Sequence, residues 1–324
     1  MRERALIEAL ERTLDRTGPR VVRWLGDDAA VVRAQGYAVT SVDAMVDGVH
    51  FRAGQLSNEQ IGHRALAGAL SDLAAMGADP GEAYLMLGLP AGYELSDAVA
   101  IARGAQRLAA RTGVTIAGGD ITRANDLIVS FTVVGWVADP GRLVGRDGAR
   151  PGDLVAITGA LGGSEAGLAL LDRRAELADA VLEAALIRRY SEPEPRLGAG
   201  AALAGLGATA MIDVSDGLAG DALRIAERSQ ARIELSLSRI PLADGVAEIA
   251  SALGQDPGEF AAGGGEDYEL CACVPASARI ALEAYWGEHA PDAPLTWIGR
   301  VVPGPPDVVF TDADGELSGY EHSF

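Results

Sequence analysis

Acidic side chains recur in this sequence at the points where apolar, strand-like runs end. Each acid by itself could be an ordinary solvated loop residue, but strands that end at one edge of a sheet would gather several of them. Gathered carboxylates bind divalent metal ions, so the pattern predicts a metal cluster. The acids are Asp27 and Asp28 after residues 21–25, Asp43 after 37–42, Asp120 after 114–117, and Asp213 and Asp216 after 208–212.

Another aspartate, Asp72, lies within a predicted helix. Ala65, Ala69 and Met76 stand seven residues before it, three before it and four after it, so they share its helical face. An isolated buried carboxylate costs several kcal/mol and is therefore usually paired or bound to a metal. Asp72 could instead lie at the margin of the apolar stripe and pair with Arg64, but the pattern favours the functional interpretation.

These carboxylates are hard oxygen donors, and almost no His or Cys lies near them. Such donors suit Mg²⁺ or Ca²⁺ rather than Zn²⁺, and the alternating acids of a calcium loop are absent. A magnesium cluster commonly serves phosphate substrates, because the metal offsets the repulsion between acids and phosphates. Gly118, Gly119 and Gly217 would let phosphates approach the backbone. Arg146 could bring positive charge to the site, or it could be a solvated loop arginine.

The overall composition limits the partners of the chain. Its 324 residues carry a formal net charge of −19 at pH 7, which argues against nucleic-acid binding. No stretch reaches the roughly 20 apolar residues of a membrane span, and the N-terminus lacks the apolar core of a secretory signal. We therefore expect a cytoplasmic protein that binds no membrane. All 27 basic residues are arginine, which excludes a Walker A lysine, a protein-kinase strand lysine and a lysine Schiff base.

Both halves of the chain mix strands and helices without strict alternation, so we predict an α+β fold with two mixed domains, 1–140 and 141–324. Ser57 and Gln60 form a capping-box pattern at the start of one helix. Cys271 and Cys273 are predicted to be buried on one face of a strand. The predicted helices are 3–16, 57–77, 96–113, 163–172, 178–190, 196–206, 218–229, 244–253 and 276–287, and the predicted strands are 29–33, 37–43, 83–89, 114–118, 127–137, 153–158, 208–213, 232–237, 267–274, 295–302 and 307–311.

Six segments, spread over nearly the whole chain, together resemble the thiamine-monophosphate kinases of the aminoimidazole-ribonucleotide-synthetase-like superfamily. Any one segment alone would be weak evidence for the resemblance, but the set in this order is highly specific. The segments are Gly26–Val31 (GDDAAV), Ser41–Asp43 (SVD) followed by His50-Phe51, Leu70–Pro80 (LSDLAAMGADP), Gly118–Arg123 (GGDITR), Asp213–Leu218 (DVSDGL) and Gly264–Leu270 (GGEDYEL).

The resemblance implies a fold and a reaction. The N-terminal domain would be ferredoxin-like, would bind metal and ATP, and would pair with its twin in a homodimer. The C-terminal α+β domain would complete the ATP and substrate site. With several Mg²⁺ ions, the γ-phosphoryl group of ATP would pass directly and in line to thiamine monophosphate, giving thiamine diphosphate without a phosphoenzyme.

The same resemblance assigns roles to individual residues, and of these Asp120, Arg146 and Asp216 would act in catalysis. The implied metal ligands are Asp28, Ser41, Asp43, Asp72, Asp120, Asp213 and Asp216. The implied ATP contacts are Gly119, Asp120, Arg146 and Ser215, and the implied substrate contacts are His50, Asp267 and Tyr320.

Two positions depart from the pattern of the family. Val42 stands where the family often has threonine, so no hydroxyl there can bind a metal, although a backbone carbonyl could. The chain ends Gly319–Phe324 (GYEHSF), whereas the family usually places Phe directly after His. Phe324 could therefore replace or join Tyr320 as the aromatic residue that packs on the substrate.

The alternatives are other members of the superfamily and a protein that only binds Mg-nucleotide. Selenophosphate synthetases carry a Cys or selenocysteine and a Lys near the N-terminus, and this sequence has neither there. The segment Gly264–Leu270 fits the kinases better than the purine-pathway synthetases. A protein that only bound nucleotide would not need all of the acids.

Overall fold

The fold is described from a computed structural model, which covers residues 3–16, 18–25, 29–289, 293–313, 315 and 317–320. The chain divides into two compact units. The first runs to Leu73 and resumes over Ala78–Pro140, and the second comprises Ala74–Gly77 and the chain from Gly141 onward.

The elements of the first unit are, in chain order, α1 (Glu3–Thr13), β1 (Val21–Arg23), β2 (Val31–Val32), β3 (Tyr37–Val46), α2 (Asn58–Ala75), β4 (Asp79–Leu89), α3 (Leu95–Thr112), β5 (Thr115–Arg123) and β6 (Ile128–Val137). Among the described residues, four strands form a sheet in the order β3-β6-β4-β5. β6 lies antiparallel to β3 and to β4, and β4 is parallel to β5. β1 and β2 form a separate antiparallel ribbon.

One face of the four-stranded sheet carries the core of the first unit. Phe131 and Val133 of β6 and Ala83 of β4 are fully buried on this face, and Leu73 of α2 packs against Gly135 of β6. Successive residues of a strand point to opposite faces. The alternation therefore shows on which side of the sheet each predicted site residue of β3 and β5 lies.

The elements of the second unit are β7 (Asp153–Thr158), α4 (Gly163–Leu171), α5 (Ala180–Ser191), α6 (Leu197–Gly205), β8 (Ala210–Asp213), α7 (Leu218–Ser229), β9 (Arg232–Leu235), α8 (Val246–Ala252), α9 (Pro257–Gly263), β10 (Leu270–Pro275), α10 (Arg279–His289), β11 (Leu295–Val302) and β12 (Asp307–Phe310). The described strands form a sheet in the order β12-β9-β11-β7-β10-β8. Neighbouring strands are antiparallel, except that β12 is parallel to β9. β8 lies at one edge of this sheet, and the chain continues from it into α7.

The α+β prediction is confirmed, since strands and helices mix in both units. The capping box is also present, because the amide of Gln60 donates to Ser57 Oγ and the amide of Ser57 donates to Gln60 Oε1. The helix α9 was not predicted from the sequence, although Asp256 caps its start and Pro257 occupies its first turn. Both cysteines are buried on β10, as predicted, and both are free. The helices in the described part of the chain are each too short or too polar to span a bilayer.

A buried ion pair joins three segments of the second unit. Glu269 is fully buried and accepts hydrogen bonds from Arg196 Nε at 2.8 Å and from Arg196 Nη2 at 2.6 Å. It accepts a third from Thr158 Oγ1 at 2.8 Å, and the same hydroxyl accepts from the amide of Leu270 at 2.8 Å. The end of β7, the start of α6 and the start of β10 are thereby held together.

Replacing Arg196 by Met should strongly destabilise the second unit, because Glu269 would stay buried without its cation. Breaking a buried pair in this way costs about 3–5 kcal/mol. Urea unfolding followed by tryptophan fluorescence measures the change. The control is Arg300→Met, which breaks the exposed pair of Arg300 and Glu234 and should cost less than about 1 kcal/mol. Equal losses for the two variants would contradict the argument.

Candidate functional site

Ser41 and Asp72 of the first unit are in direct contact. The Ser41 hydroxyl on β3 donates a hydrogen bond to Oδ2 of Asp72 on α2, which is half-buried. Asp43 lies two residues further along β3, about 7 Å away on the same face of the sheet. One of its carboxylate oxygens accepts the amide of Ala44 at 2.8 Å. The structure therefore brings these three predicted metal ligands to one side of β3.

Asp120 occupies the other face of the same sheet. It is exposed and directly follows Gly119, which lies in one cross-strand row with Asp43. Three strand spacings, about 14 Å, separate β3 from β5. The prediction that strand ends gather these acids is wrong for Asp43 and Asp120, because both strands continue past them. The row consists of Asp43, Phe131, Leu85 and Gly119.

Gly119 allows β4 and β5 to approach each other closely. A Cβ atom at this position would lie 1.8 Å from the carbonyl oxygen of Leu85, and no side chain fits in that space. At the neighbouring Gly118, an added Cβ would come no nearer than 3.2 Å to the Tyr84 ring. The close approach of β4 and β5 thus requires glycine at position 119, whether or not Gly119 also contacts a nucleotide.

His50 lies in the turn that follows β3 and is half-buried. Its Nδ1 accepts a hydrogen bond from the amide of Val46 at 3.1 Å. A neutral His50 therefore carries its proton on Nε2, where it can donate a hydrogen bond. The predicted ligand Asp28 and its neighbour Asp27 lie outside the described residues.

In the second unit, two of the motifs that carry the resemblance lie side by side. Asp213 ends β8 and is buried, and the loop that follows it leads into α7. The amide of Glu266 donates to the carbonyl oxygen of Ser215 at 2.8 Å. The segments Asp213–Leu218 and Gly264–Leu270 are thereby brought together, as a shared site requires.

Asp221 and Arg224 of α7 hold this loop, although neither was predicted from the sequence as a site residue. Asp221 is fully buried, and its Oδ2 accepts the amides of Ser215 and Asp216, each at 3.0 Å. Burial raises the pKa of Asp221 to about 6. Arg224 bridges the two acids, with Nη2 2.5 Å from Asp216 and Nη1 3.1 Å from Asp221. The spacing of Asp221 and Arg224 by three helical residues is the signal that could have identified the pair.

The C-terminal segment places Tyr320 beside the same loop. The amide of Tyr320 donates to the carbonyl oxygen of Asp216 at 2.8 Å, and the residue is 56% exposed. An added Cβ on Gly319 would lie 2.7 Å from that carbonyl oxygen, so glycine permits the approach. The structure therefore brings Tyr320 and Asp216 together, whereas Phe324 lies outside the described residues.

Asp267 is buried and caps the start of α4. Its carboxylate accepts the amide of Gly162 at 2.6 Å and the amide of Ser164 at 3.0 Å. Burial raises the pKa of this carboxyl to about 7. Glu266 and Tyr268, on either side of it, have φ values of 63° and 52°, a conformation that is strained for residues other than glycine. Asp267 thus fixes its own segment to α4, and its contact with a substrate stays a prediction.

Arg146 is exposed, and its backbone is held near the end of α7. The hydroxyl of Ser229, the last residue of α7, donates to the carbonyl oxygen of Arg146 at 2.8 Å. Asp216 stands before the first residue of the same helix, about 18 Å of helix away. The Arg146 backbone therefore lies near the last turn of α7, and the carbonyl oxygen of the neighbouring Gly145 accepts the amide of Met211 on β8 at 3.0 Å. A contact of the exposed Arg146 side chain with ATP stays a prediction.

The donor chemistry of these residues fits magnesium bound together with phosphate. Within the described ranges, no three acidic, His or Cys side chains gather closely enough to hold a metal by themselves. Mg²⁺ commonly uses only one or two protein carboxylates, with water and substrate phosphate oxygens completing its shell. Asp43 with Asp72 in the first unit, and Asp213 with Asp216 in the second, are the carboxylates that would hold such an ion.

Comparison with known proteins confirms the resemblance that the motifs indicate. Residues 26–137 match the model of the AIR synthase related protein, N-terminal domain, and residues 150–312 match that of its C-terminal domain. Thiamine-monophosphate kinase of Mycobacterium tuberculosis strain H37Rv is 39% identical over 302 residues, which cover 91% of this chain and 83% of the relative.

Two solved structures extend the similarity over nearly the whole chain. Thiamine-monophosphate kinase from Stenotrophomonas maltophilia K279a has a TM-score of 0.82 and 35% identity, covering 98% of both chains. A structure described as AaThiL complexed with AMPPCP and TMP has a TM-score of 0.79 and 32% identity, covering 100% of this chain and 99% of that one.

Replacing Gly119 by Ala should destabilise the first unit, because the new methyl group would overlap the Leu85 carbonyl and force β4 and β5 apart. We expect a loss of at least about 1–3 kcal/mol, the usual range for overpacking. Thermal melting followed by circular dichroism measures it. Gly118→Ala is the matched control and should melt closer to the wild type, since its methyl group meets only a side chain. If Gly118→Ala melted at a lower temperature than Gly119→Ala, the close spacing of β4 and β5 would not be the reason for glycine at position 119.

The raised pKa of Asp267 predicts a pH-dependent stability. The folded chain holds the Asp267 proton up to about pH 7, whereas an unfolded aspartate loses it near pH 4. The stability contributed by this group is therefore complete below about pH 4 and is lost as the pH rises through about 7. Asp267→Asn lacks this titration. Urea unfolding at pH 5 and pH 8 should show the wild type losing on the order of 1–3 kcal/mol relative to the variant. A constant difference between the two proteins would contradict the assignment.

Proposed function

Because the chain belongs to the thiamine-monophosphate kinase family, we propose that it transfers the γ-phosphoryl group of ATP to thiamine monophosphate and forms thiamine diphosphate. The observation that carries this proposal is the similarity of both units, over nearly the full chain, to a relative whose structure is described with AMPPCP and TMP. Two motifs of the family also lie in direct contact in the second unit.

We propose that several Mg²⁺ ions assist this reaction by neutralising charge on the ATP phosphates. Ser41 would orient Asp72 through its hydroxyl, and Arg224 would hold the Asp216 carboxylate in position for a metal ion. The proposed metal ligands are Asp28, Ser41, Asp43, Asp72, Asp120, Asp213 and Asp216.

The residues proposed for ATP and the substrate act by positioning. Thiamine monophosphate already offers an anionic phosphate oxygen as the nucleophile, so direct in-line transfer needs no strong general base, and positioning with charge neutralisation supplies the catalysis. His50 would donate from Nε2, and Tyr320 would offer its exposed ring beside Asp216. The proposed ATP contacts are Gly119, Asp120, Arg146 and Ser215, and the proposed substrate contacts are His50, Asp267 and Tyr320.

We also propose a homodimer formed through the first unit. β3 is an edge strand of the sheet, and it exposes Tyr37 by 51% and Val42 by 67%. Apolar side chains on an exposed sheet edge favour pairing with another chain. The face that carries Val42 is also the face of Asp120, which lies three strand spacings away on β5, so a second copy would cover apolar surface on the same face as a proposed catalytic residue.

The proposed function is tested by incubating the protein with ATP, Mg²⁺ and thiamine monophosphate and detecting thiamine diphosphate as its fluorescent thiochrome derivative. Product that requires all three components and disappears with a chelator supports both the reaction and the metal requirement. Absence of product from a folded protein that still binds Mg-ATP would reject the assignment. A covalent phosphoprotein trapped with labelled ATP would overturn direct transfer.

Replacing Asp120 by Asn should lower turnover by orders of magnitude without loss of the fold, because the exposed side chain offers a metal ligand but makes no core contact. The same thiochrome assay measures turnover, and circular dichroism checks the fold. Asp126→Asn is the matched control, since Asp126 is also exposed and follows β5 in the next turn. If the Asp120 variant kept turnover close to that of the control, its assignment as a metal ligand would be wrong.

A further inference from the structure

We propose that Asp221 and Arg224 are positioning residues that set the geometry of Ser215 and Asp216 for metal and nucleotide binding. The inference rests on the proposed function, since it concerns how that site is prepared. Neither residue belongs to the set of ligands that the motifs indicate. Both belong to α7, the helix that begins directly after the loop.

Asp221 fixes the backbone of the loop. Its buried Oδ2 lies 3.0 Å from the amide nitrogens of both Ser215 and Asp216. A carboxylate oxygen can accept two such hydrogen bonds at once. Gly217, the N-cap residue of α7, has φ 104° and offers no side-chain cap, and Asp221 reaches back from the first turn of the helix to the two amides that precede Gly217. It therefore determines how the two peptide groups before the helix are oriented.

Arg224 fixes the carboxylate of Asp216. Its Nη2 is 2.5 Å from Asp216 Oδ2, and its Nη1 is 3.1 Å from Asp221 Oδ1. A planar guanidinium that bridges two carboxylates restricts the rotation of both. The buried charge of Asp221 in turn holds the arginine in place. Asp221 and Arg224 thus form a single brace, which orients the peptide groups and the side chain of Asp216 together.

The rest of the loop is held from outside α7. The carbonyl of Ser215 accepts the amide of Glu266, and the carbonyl of Asp216 accepts the amide of Tyr320. These contacts restrain the carbonyl groups but leave the Asp216 carboxylate to the brace. Loss of the brace should therefore leave the loop in place while the carboxylate samples other rotamers. Metal binding would then have to order the Asp216 carboxylate, and this cost weakens the binding.

The test compares Asp221→Asn, Arg224→Met and Arg224→Lys with the wild type. Asparagine keeps one acceptor oxygen, so it can hold the loop amides or Arg224 but not both. Lysine keeps the charge but cannot bridge two carboxylates. The control is Asp153→Asn, because Asp153 is also buried in the second unit and accepts an amide, that of Arg150, at 2.9 Å.

The first measurement is the Mg²⁺ concentration that half-saturates binding of a non-hydrolysable ATP analogue, determined by calorimetry. Residues that orient a metal ligand typically change metal affinity by about tenfold or more. We expect the half-saturating Mg²⁺ concentration to rise by about tenfold for Asp221→Asn and Arg224→Met. It should rise less for Arg224→Lys and should not change for Asp153→Asn. The double variant Asp221→Asn/Arg224→Met should be no worse than the more affected single variant, because the two residues act as one unit.

The melting temperatures of the variants distinguish a positioning role of Asp221 and Arg224 from a purely structural role. If the variants melt earlier but keep the wild-type Mg²⁺ dependence, Asp221 and Arg224 are merely structural and the proposal is overturned. If Asp221→Asn does not fold, Arg224→Met still decides, since its side chain is 41% exposed. Absence of thiamine diphosphate from the wild type, with intact Mg-dependent analogue binding that the variants weaken, would reject the proposed function and support the positioning role.

Discussion

The structure of the second unit depends on the hydrogen bonds that its buried carboxylates receive. Such a group is costly unless donors surround it, and here the donors come from other segments of the chain. Glu269 takes its donors from Arg196 and Thr158, Asp267 from the start of α4, and Asp221 from the loop before its own helix. The same contacts that make burial tolerable also fix the loops in which the proposed site residues lie.

Much of the local structure could be predicted because its signals are local. The strands 153–158 and 295–302 and the helix 218–229 have the predicted bounds, since periodicity, glycines and caps define them within a few residues. The helix that precedes Gly113 ends with this glycine in the left-handed conformation, as the sequence indicates. Family membership also followed from short motifs, because their order along the chain is specific.

The arrangement of the site could be predicted only in part, because it depends on contacts between distant segments. Asp267 and Ser164 are 103 residues apart in the chain, and nothing near either residue indicates that they meet. The separation of Asp43 from Asp120 follows from the order and register of strands, which the sequence of either strand does not reveal. The contact of Ser41 with Asp72 likewise needs β3 and α2 to be packed together first.

The helix α7 has a further role that follows from what its two ends hold. Its first turn braces Asp216, and its last residue, Ser229, holds the backbone of Arg146. About 18 Å of helix thus separates the two segments, which carry two of the residues proposed for the site. Deleting one residue would shorten the helix by about 1.5 Å and turn one end by about 100° relative to the other. Exposed side chains of α7 other than those of Arg224 and Ser229 can therefore vary, but an insertion or deletion between Gly217 and Ser229 would take both ends out of alignment.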